Sequence, residues 1–459
     1  MQSLWSQTTK LEKHKQLSNN IHVQNVIIGA GLAGILTAYF LKEKGIESII
    51  IEADCIGGGQ TKNTTAKITC QHGLLYHDLL NKTGKERAKA YAKANMEAID
   101  TYEKTIQKEG IDCHFERLPS FLYSLEEEGK ELLRKEAQAT KELGIDAYFL
   151  EGSEIQELPF AVSGALCLKN QAQFHPLTFI QALTKELTIY ENTNAISVHG
   201  HVVTTMEGNT ITAENIIITT HYPFLNIPGF YFLRQHQERS YVLALESEEM
   251  QPPCKLSGMY YGIDNGGLSF RSAEGKLLLG GGSHRTGQKF CPCDQKGYSY
   301  LREQAHKYYP HAKEIANWSA QDCMPHDRIP FIGKYSIFRP FWYVATGFQK
   351  WGMTSSMIAA MLISDMICGK ENTYESLFSP QRLLVRAGIK NLCIDIGESI
   401  MGLTKGLFGA RKARCSHMEC HLTWNPEEES YDCPCHGSRF DQNGNVIDNP
   451  AQTKKPRKH

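Results

Sequence analysis

The sequence has almost no net charge: 49 lysines and arginines face 50 aspartates and glutamates, which leaves −1 at pH 7 with histidine neutral. So balanced a chain carries no electrostatic footprint for nucleic acid, and the basic end around Lys454 to Lys458 reads as a solvated tail. Long apolar runs are also missing. No stretch approaches the roughly 18 to 20 residues that cross a bilayer, and Met1 to Asn20 is polar rather than signal-like. The expectation is a cytoplasmic protein with no membrane span. Cysteine is sparse for the length. Fourteen in 459 residues is far below the roughly 8 to 10 % of disulfide-built secreted chains, so most read as buried thiols and only clustered ones need a separate account. The length itself exceeds what one core can organise and argues for about two to four domains.

What the sequence does have is a βαβ unit at Val26 to Glu52. The apolar run Val26-Ile27-Ile28 ends in Gly29-Ala30-Gly31-Leu32-Ala33-Gly34, a helical spacing follows to Lys44, and a second apolar run from Ser48 to Ile51 stops at Glu52. Gly29 suits the tight turn, Gly31 lets backbone approach a pyrophosphate, and Gly34 lets helix pack on strand. Helix amides then face the phosphates, while Glu52 is placed to accept ribose hydroxyls. These residues predict a bound dinucleotide and leave open whether it is NAD or FAD. The glycine- and hydroxyl-rich loop Cys55 to Lys67 follows, able to cradle sugar, phosphates or ring edge with its amides.

The rest of the chain is plainer. Residues 1 to 20 read as a flexible or loosely docked arm that Trp5 anchors. Gly84 to Leu143 is rich in Ala, Lys and Glu at helical spacing, with a break near Pro119 and a short strand Phe121 to Ser124. Pro176 starts a helix. Thr188 to Thr193 and Ile211 to Thr220 read as strands around a hairpin at Gly200 to Asn209, with Ile216 to Thr220 a buried strand of the first sheet. His221 follows at the strand end, where ligands of α/β sheets sit, though a hydrogen-bonded loop histidine is the commoner outcome. Arg239 to Gly287 reads as antiparallel sheet. Its Arg271 has the chemistry to hold a carboxylate bidentately or to make a surface ion pair, and His284 lies nearby. Cys291-Pro292-Cys293 reads as two ordinary thiols. A strand at Trp342 to Thr346 and a helix from Met353 to Cys368 flank the turn Gly347 to Thr354, whose free amides and positive dipole end suit a cofactor.

These pieces resemble the FAD-dependent oxidoreductases of the D-amino-acid oxidase and glycine oxidase superfamily, over roughly residues 20 to 385. The likeness rests on the Gly29 to Gly34 turn with Glu52, the Thr61 to Lys67 loop, and the closing motifs Asp327 to Gly333 and Ala345 to Thr354. It implies FAD. By the resemblance Gly29, Gly31, Gly34 and Glu52 hold the ADP half, and Thr64, Thr65, Ala66, Gly352, Met353 and Thr354 lie near the rest. Members usually take hydride from the carbon bearing an amine. Their substrate residues vary, so Arg271, His284 and Lys350 are chosen as catalytic candidates on position and chemistry.

The carboxy-terminal end gathers Cys415-Ser416-His417-Met418-Glu419-Cys420 and Cys433-Pro434-Cys435-His436-Gly437-Ser438. Two thiolates and two imidazoles on two loops suit zinc or a [2Fe-2S] centre with two histidines on one iron. With Trp424 to Glu428 and the Asn449-Pro450-Ala451 turn, this end resembles the Rieske domain. The resemblance implies that Cys415 and Cys433 bind one iron, His417 and His436 the other, and that Cys420 pairs with Cys435. Three departures stand out: Glu419 where the first loop usually has Gly, Phe440 where high-potential members carry Tyr, and few strands before the first loop.

The fold expected is therefore α/β, a Rossmann-like FAD-binding domain interleaved with an antiparallel-sheet substrate domain, plus a small carboxy-terminal β Rieske module. The expected boundaries are an arm at 1–20, the FAD-binding domain at 21–80, 151–225 and 290–385, the substrate domain at 81–150 and 226–289, a linker helix within 386–410, and the Rieske module at 411–459. The expected activity is oxidation of a small amine or amino acid by FAD, with single electrons passing through the cluster to a redox partner protein. The alternatives are an oxidase using oxygen, and a redox-sensing or structural protein whose metal site, with zinc among its candidate metals, lies off the electron path.

Overall fold

The computed structural model describes residues 2–246, 255–289, 294–382 and 413–454. The expected linker helix and the Cys291 to Cys293 pair lie outside the described residues.

The strand Ile21–Ile28 is the centre of the first sheet, and its last four residues are buried. It pairs in parallel with Thr210–Ile218 on one side and Ile49–Ile51 on the other, so that Ile27 lies opposite Ile217 and Ile50. Arg339–Thr346 extends the sheet in parallel beyond Thr210–Ile218, and Thr188–Tyr190 extends it beyond Ile49–Ile51. Such strands read as continuous apolar runs because both faces are covered, here partly by the packed helices Leu32–Glu43 and Gly352–Ile367. Ile27, Ile50 and Ile217 are fully buried, each contributing about 1.5–3 kcal/mol by leaving water. Phe331–Ser336 closes one edge in antiparallel fashion.

Two local expectations change. The hairpin beside Gly200 has strands of its own, Ala195–His199 and Val202–Thr205, and the latter pairs back onto Thr210–Ile218. Its β-branched Val202 to Thr205 alternate between half-buried and buried, as a one-face-covered strand should. Pro119 does not break the chain. It lies inside the strand Glu116–Ser124, where the pairing with Gly164–Gln173 shifts register between Leu118 and Ser120, a bulge position that tolerates a residue with no amide proton.

The second sheet runs in the order Lys313–Pro325, Gln235–Glu246, Lys276–Arg285, Ser269–Ala273, Met259–Gly262, Glu116–Ser124, Gly164–Gln173 and Lys67–Ile68, with Ala147–Glu151 also paired to Gly164–Gln173. Its pairings are antiparallel except between Glu116–Ser124 and Met259–Gly262. Gly164–Gln173 and Lys313–Pro325 thus belong to this sheet, although both fall in segments expected with the FAD-binding domain. Lys313–Pro325 shows the alternating burial of an antiparallel strand covered on one face, which its mixed polar sequence conceals.

The amino-terminal arm is docked rather than loose. Leu4–Thr8 is helical with Ser3 as its cap, and Leu4, Trp5 and Leu17 are buried. Trp5 Nε1 donates to Thr64 O at 2.7 Å, so the arm braces the loop Cys55 to Lys67. The carboxy-terminal module is a four-stranded antiparallel meander of Thr423–Asn425, Ser430–Asp432, Arg439–Phe440 and Val446–Asp448. Among the described residues no helix is long and apolar enough to cross a membrane.

Candidate cofactor sites

A cavity of about 670 Å³ opens at the carboxyl ends of the parallel strands, the usual ligand position in open α/β sheets. Gly29 turns the chain with φ +111°, and a Cβ on Gly34 would stand 2.0 Å from Gly29 O. Only a glycine lets helix Leu32–Glu43 start this close to the strand. Glu52 Oε2 accepts from Ala30 N at 2.7 Å and Oε1 from Asp54 N at 3.0 Å. Burial raises the pKa of this carboxyl, and those two amides oppose the rise. Thr61, which opens the Thr61 to Lys67 loop, accepts from Leu32 N through Oγ1 at 2.9 Å and so fixes the loop against the helix start. Gly29, Gly31, Glu52, Thr64, Thr65, Gly352 and Met353 line the cavity; Gly34, Ala66 and Thr354 lie behind that lining. A glycine turn closed to a Cβ at Gly29 and Gly34, a half-buried carboxylate and a helix amino-terminus at one elongated space fit a dinucleotide.

The three catalytic candidates fare differently. Arg271 is buried and does not line the cavity. Its Nε donates to Gln173 Oε1 at 2.8 Å, Nη2 to Phe174 O at 3.1 Å and Nη1 to Thr65 O, and its plane faces the Trp5 ring. Burial brings its pKa down to about 9. This guanidinium holds the cofactor loop and faces the amino-terminal helix, away from the cavity lining. His284 also lies behind the lining, joined through Nε2 to the Tyr241 hydroxyl at 3.0 Å and through Nδ1 to Arg285 O at 2.8 Å.

Lys350 does line the cavity. Its Nζ donates to Ser240 Oγ at 2.7 Å and faces Glu238 at 3.4 Å and Asp322 at 3.6 Å. Burial opposes charge on Glu238, yet Lys350 and His236 together outweigh it and hold that carboxyl down to about 2. Burial raises the pKa of Asp322 against the same lysine. Glu238 and Asp322 carry no local sequence signal. Lys67, at the end of the Thr61 to Lys67 loop, is a buried cavity lysine bonded to Tyr260 O at 3.0 Å and Ser269 Oγ at 2.5 Å; burial, with Arg271 nearby, brings its pKa down to about 7. His221 lines the cavity and also keeps a contact of 3.3 Å to Cys323 Sγ. Burial brings its pKa down to about 4.

In the carboxy-terminal module the two loops converge. Cys415 and Cys433 are buried free thiols, and a hydrogen bond from Cys433 lowers the pKa of Cys415. The rings of His417 and His436 stand 5.1 Å apart and perpendicular. His417 Nε2 meets Asn226 Oδ1 at 2.8 Å, while its Nδ1 is buried without a hydrogen-bond partner. Cys420 and Cys435 form a disulfide, which removes them from the ligand set. Two thiols, two imidazoles and an orphaned ring nitrogen fit a Cys2His2 centre, and Asn226 orients one histidine from outside. Glu419 adopts φ +58°, the left-handed conformation that glycine takes freely. Phe440 is fully buried and offers no hydroxyl.

The two sites share a seam. Gln237 Nε2 donates to His436 O at 2.6 Å, and Gln321 Nε2 to Gly437 O at 2.8 Å. Gln321 also lines the large cavity.

Comparison with known proteins agrees with this geometry. The model of the FAD dependent oxidoreductase family (DAO) matches residues 25–366, and that of the Rieske [2Fe-2S] domain matches residues 389–457. The Bacillus subtilis protein YhfW, described as a Rieske 2Fe-2S iron-sulfur protein, is 34% identical over 98% of this chain and 96% of its own length. Among solved structures, glycine oxidase from Geobacillus kaustophilus aligns with TM-score 0.66 at 18% identity, covering 79% of this chain and 99% of that one. L-Proline dehydrogenase from P. horikoshii aligns with TM-score 0.64 at 17% identity, covering 79% of this chain and 98% of that one. Those two likenesses establish the fold. The cavity is accordingly a site for FAD, the Cys2His2 centre a site for a [2Fe-2S] cluster, and the chain belongs to the DAO family of FAD-dependent oxidoreductases with a Rieske domain at its carboxy-terminal end.

Proposed function

We propose that the protein oxidises a small amine or amino acid at the FAD site and passes the electrons singly through the Rieske centre to a redox partner protein in the cytosol. When bound, FAD supplies two-electron hydride acceptance with one-electron release, and the cluster supplies one-electron transfer. The observation that carries the reading is the seam. The peptide of cluster ligand His436 is hydrogen-bonded to Gln237, and that of Gly437 to the cavity residue Gln321. One of the two amides, Gln321, is shared by the cavity wall and the cluster loop, which supports exchange between the module and the flavin site.

The chain's own groups support the substrate class. Lys350 is flanked by two carboxylates, so the polar cluster formed with Glu238 and Asp322 has an acidic surplus that attracts an ammonium group. Among the described residues no arginine lines the cavity, and we therefore assign substrate binding to Lys350, Asp322 and Tyr261 rather than to Arg271. The helix start at Gly352 turns its amides toward the cavity, where they stabilise developing negative charge. Glycine oxidase and L-proline dehydrogenase, which share the fold, act on small amino acids by name, in keeping with this class. Buried free thiols at Cys70, Cys113, Cys167 and Cys323 suit a reducing compartment.

The test is anaerobic mixing of the loaded full chain with a panel of small amines and amino acids. Bleaching of the flavin band by at least one of them, with an imine-derived carbonyl product, is expected. A flavin that dithionite reduces but no amine reduces would contradict the substrate class.

A further inference from the structure

The cavity that holds the dinucleotide is not built by the larger body alone. Val446, Ile447, Asp448, Asn449, Ala451 and Gln452, all from the Rieske domain, belong to its lining. Two of them grip opposite parts of the flavin site. Asp448 Oδ1 accepts from Gln60 Nε2 at 3.2 Å, and Gln60 continues the loop Gly57 to Thr61 that runs over the helix start. Asn449 Nδ2 donates to Thr220 O at 2.7 Å and Tyr222 O at 2.8 Å, the carbonyls on either side of the cavity residue His221. One turn of the Rieske domain therefore ties the loop after the second strand to the end of Thr210–Ile218.

The same turn is tied to the cluster loop. Ala451 N donates to Ser438 Oγ at 3.0 Å, two residues beyond His436. Asp448 pairs with Arg439 at 2.9 Å and Arg239 at 3.4 Å, which fixes its carboxylate from the two bodies at once. The cluster loop is in turn pressed on the larger body. A Cβ on Gly287 would meet Pro434 N at 2.4 Å, and one on Gly437 would meet Gln237 Cβ at 2.6 Å. Such close packing leaves no room for the loop to sit elsewhere while the turn stays in place.

We propose that the Rieske segment Val446 to Gln452 is a structural part of the flavin site, so that FAD and the cluster stabilise one another's binding across a shared wall. Cluster loading orders the loops that hold the segment in place, and the segment then holds the two strands of chain that enclose FAD. Because such coupling is reciprocal, removing FAD must also loosen the cluster. The inference concerns binding alone and stands whichever way electrons move.

Two measurements on the full chain test it. In Asn449→Ala, which keeps every cluster ligand, the FAD dissociation constant read from flavin fluorescence is expected to rise about tenfold, inside the roughly 5–150-fold range of typical coupling. The native FAD affinity in that variant would overturn the proposal. The second measurement needs no substitution. The unaltered protein stripped of FAD is expected to lose its visible cluster absorbance at a lower temperature, with a changed electron-spin line shape, and both are expected to recover when FAD returns. Identical melting and line shape with and without FAD would overturn it equally, including where Asn449→Ala does not fold.

Discussion

Arg239 of the larger body donates through Nε to Glu428 Oε2 of the Rieske domain at 2.8 Å, and the guanidinium is buried. Glu428 also accepts from Ser319 and faces Arg439 at 3.1 Å. A charged seam of this kind is worth little beyond a well-packed apolar one, but removing one partner strands the other. Arg239→Met is therefore expected to destabilise the docked Rieske domain by about 3 kcal/mol, the low end of the usual range because Arg439 still faces the carboxylate. Urea unfolding followed by loss of cluster absorbance reads it directly.

The same carboxylate sets an acid limit. Burial opposes charge on Glu428, yet Arg239 and Arg439 outweigh it and hold the group down to about 2. Glu238 is held down to about 2 by Lys350 and His236 together, again against burial. For both, the unfolded chain binds more protons than the folded one between the folded value and the ordinary carboxylate value of about 4.3. The stabilisation is thus fully present above that ordinary value and lost as pH falls through the folded one. Stability measured by urea titration should begin to fall below about pH 6.5, where the unfolded chain protonates His221 and the folded chain does not. It should fall more steeply from about pH 5 toward pH 2 as the two carboxylates add to the slope. In Glu428→Gln the slope of that fall should lessen.

Glu419 occupies a left-handed position in the first cluster loop. Its nearest cation, Arg414 at 3.7 Å, is a solvent-exposed partner, and exposed pairs contribute little. Glu419→Gly should relieve the backbone and raise the thermal stability of the Rieske domain, by about 1 kcal/mol. A lower melting temperature would show that the ion pair or the chain's own entropy outweighs the strain.

Gly34→Ala is expected to expel FAD. The new methyl would overlap Gly29 O at 2.0 Å and Thr219 Oγ1 at 2.8 Å, and neither the turn nor the strand end can move without opening the phosphate cradle. Overpacking of this kind costs about 1–3 kcal/mol or more, and purified protein without a flavin band but with its cluster would match it.

Local pattern made much of this legible. The run from Val26 to Glu52 carries its own turn, helix and acid within one short stretch, so spacing alone locates the cradle. The pairs Cys415 with His417 and Cys433 with His436, which the structure brings together, are equally local. The less legible features join distant segments. Gln60 meets Asp448 across 388 positions of chain, and nothing near either residue marks the other. Arg271 has the right chemistry for a carboxylate, but its role is set by Thr65 O and Phe174 O, backbone atoms that no side-chain pattern reveals. Glu238 and Asp322 look like ordinary acids on strands until the fold sets Lys350 between them. Pro119 reads as a break because a bulge is a property of two strands rather than one.

The central claim is that electrons entering at FAD leave through the cluster. Rapid freezing of the loaded full chain after reduction of its flavin, with electron-spin detection of the cluster at successive times, tests it most directly. The account expects the reduced-cluster signal to rise as the flavin signal reoxidises, without added mediator and at a rate independent of protein concentration. A flavin that stays fully reduced while the cluster stays oxidised, or a rate that rises with protein concentration, would contradict it.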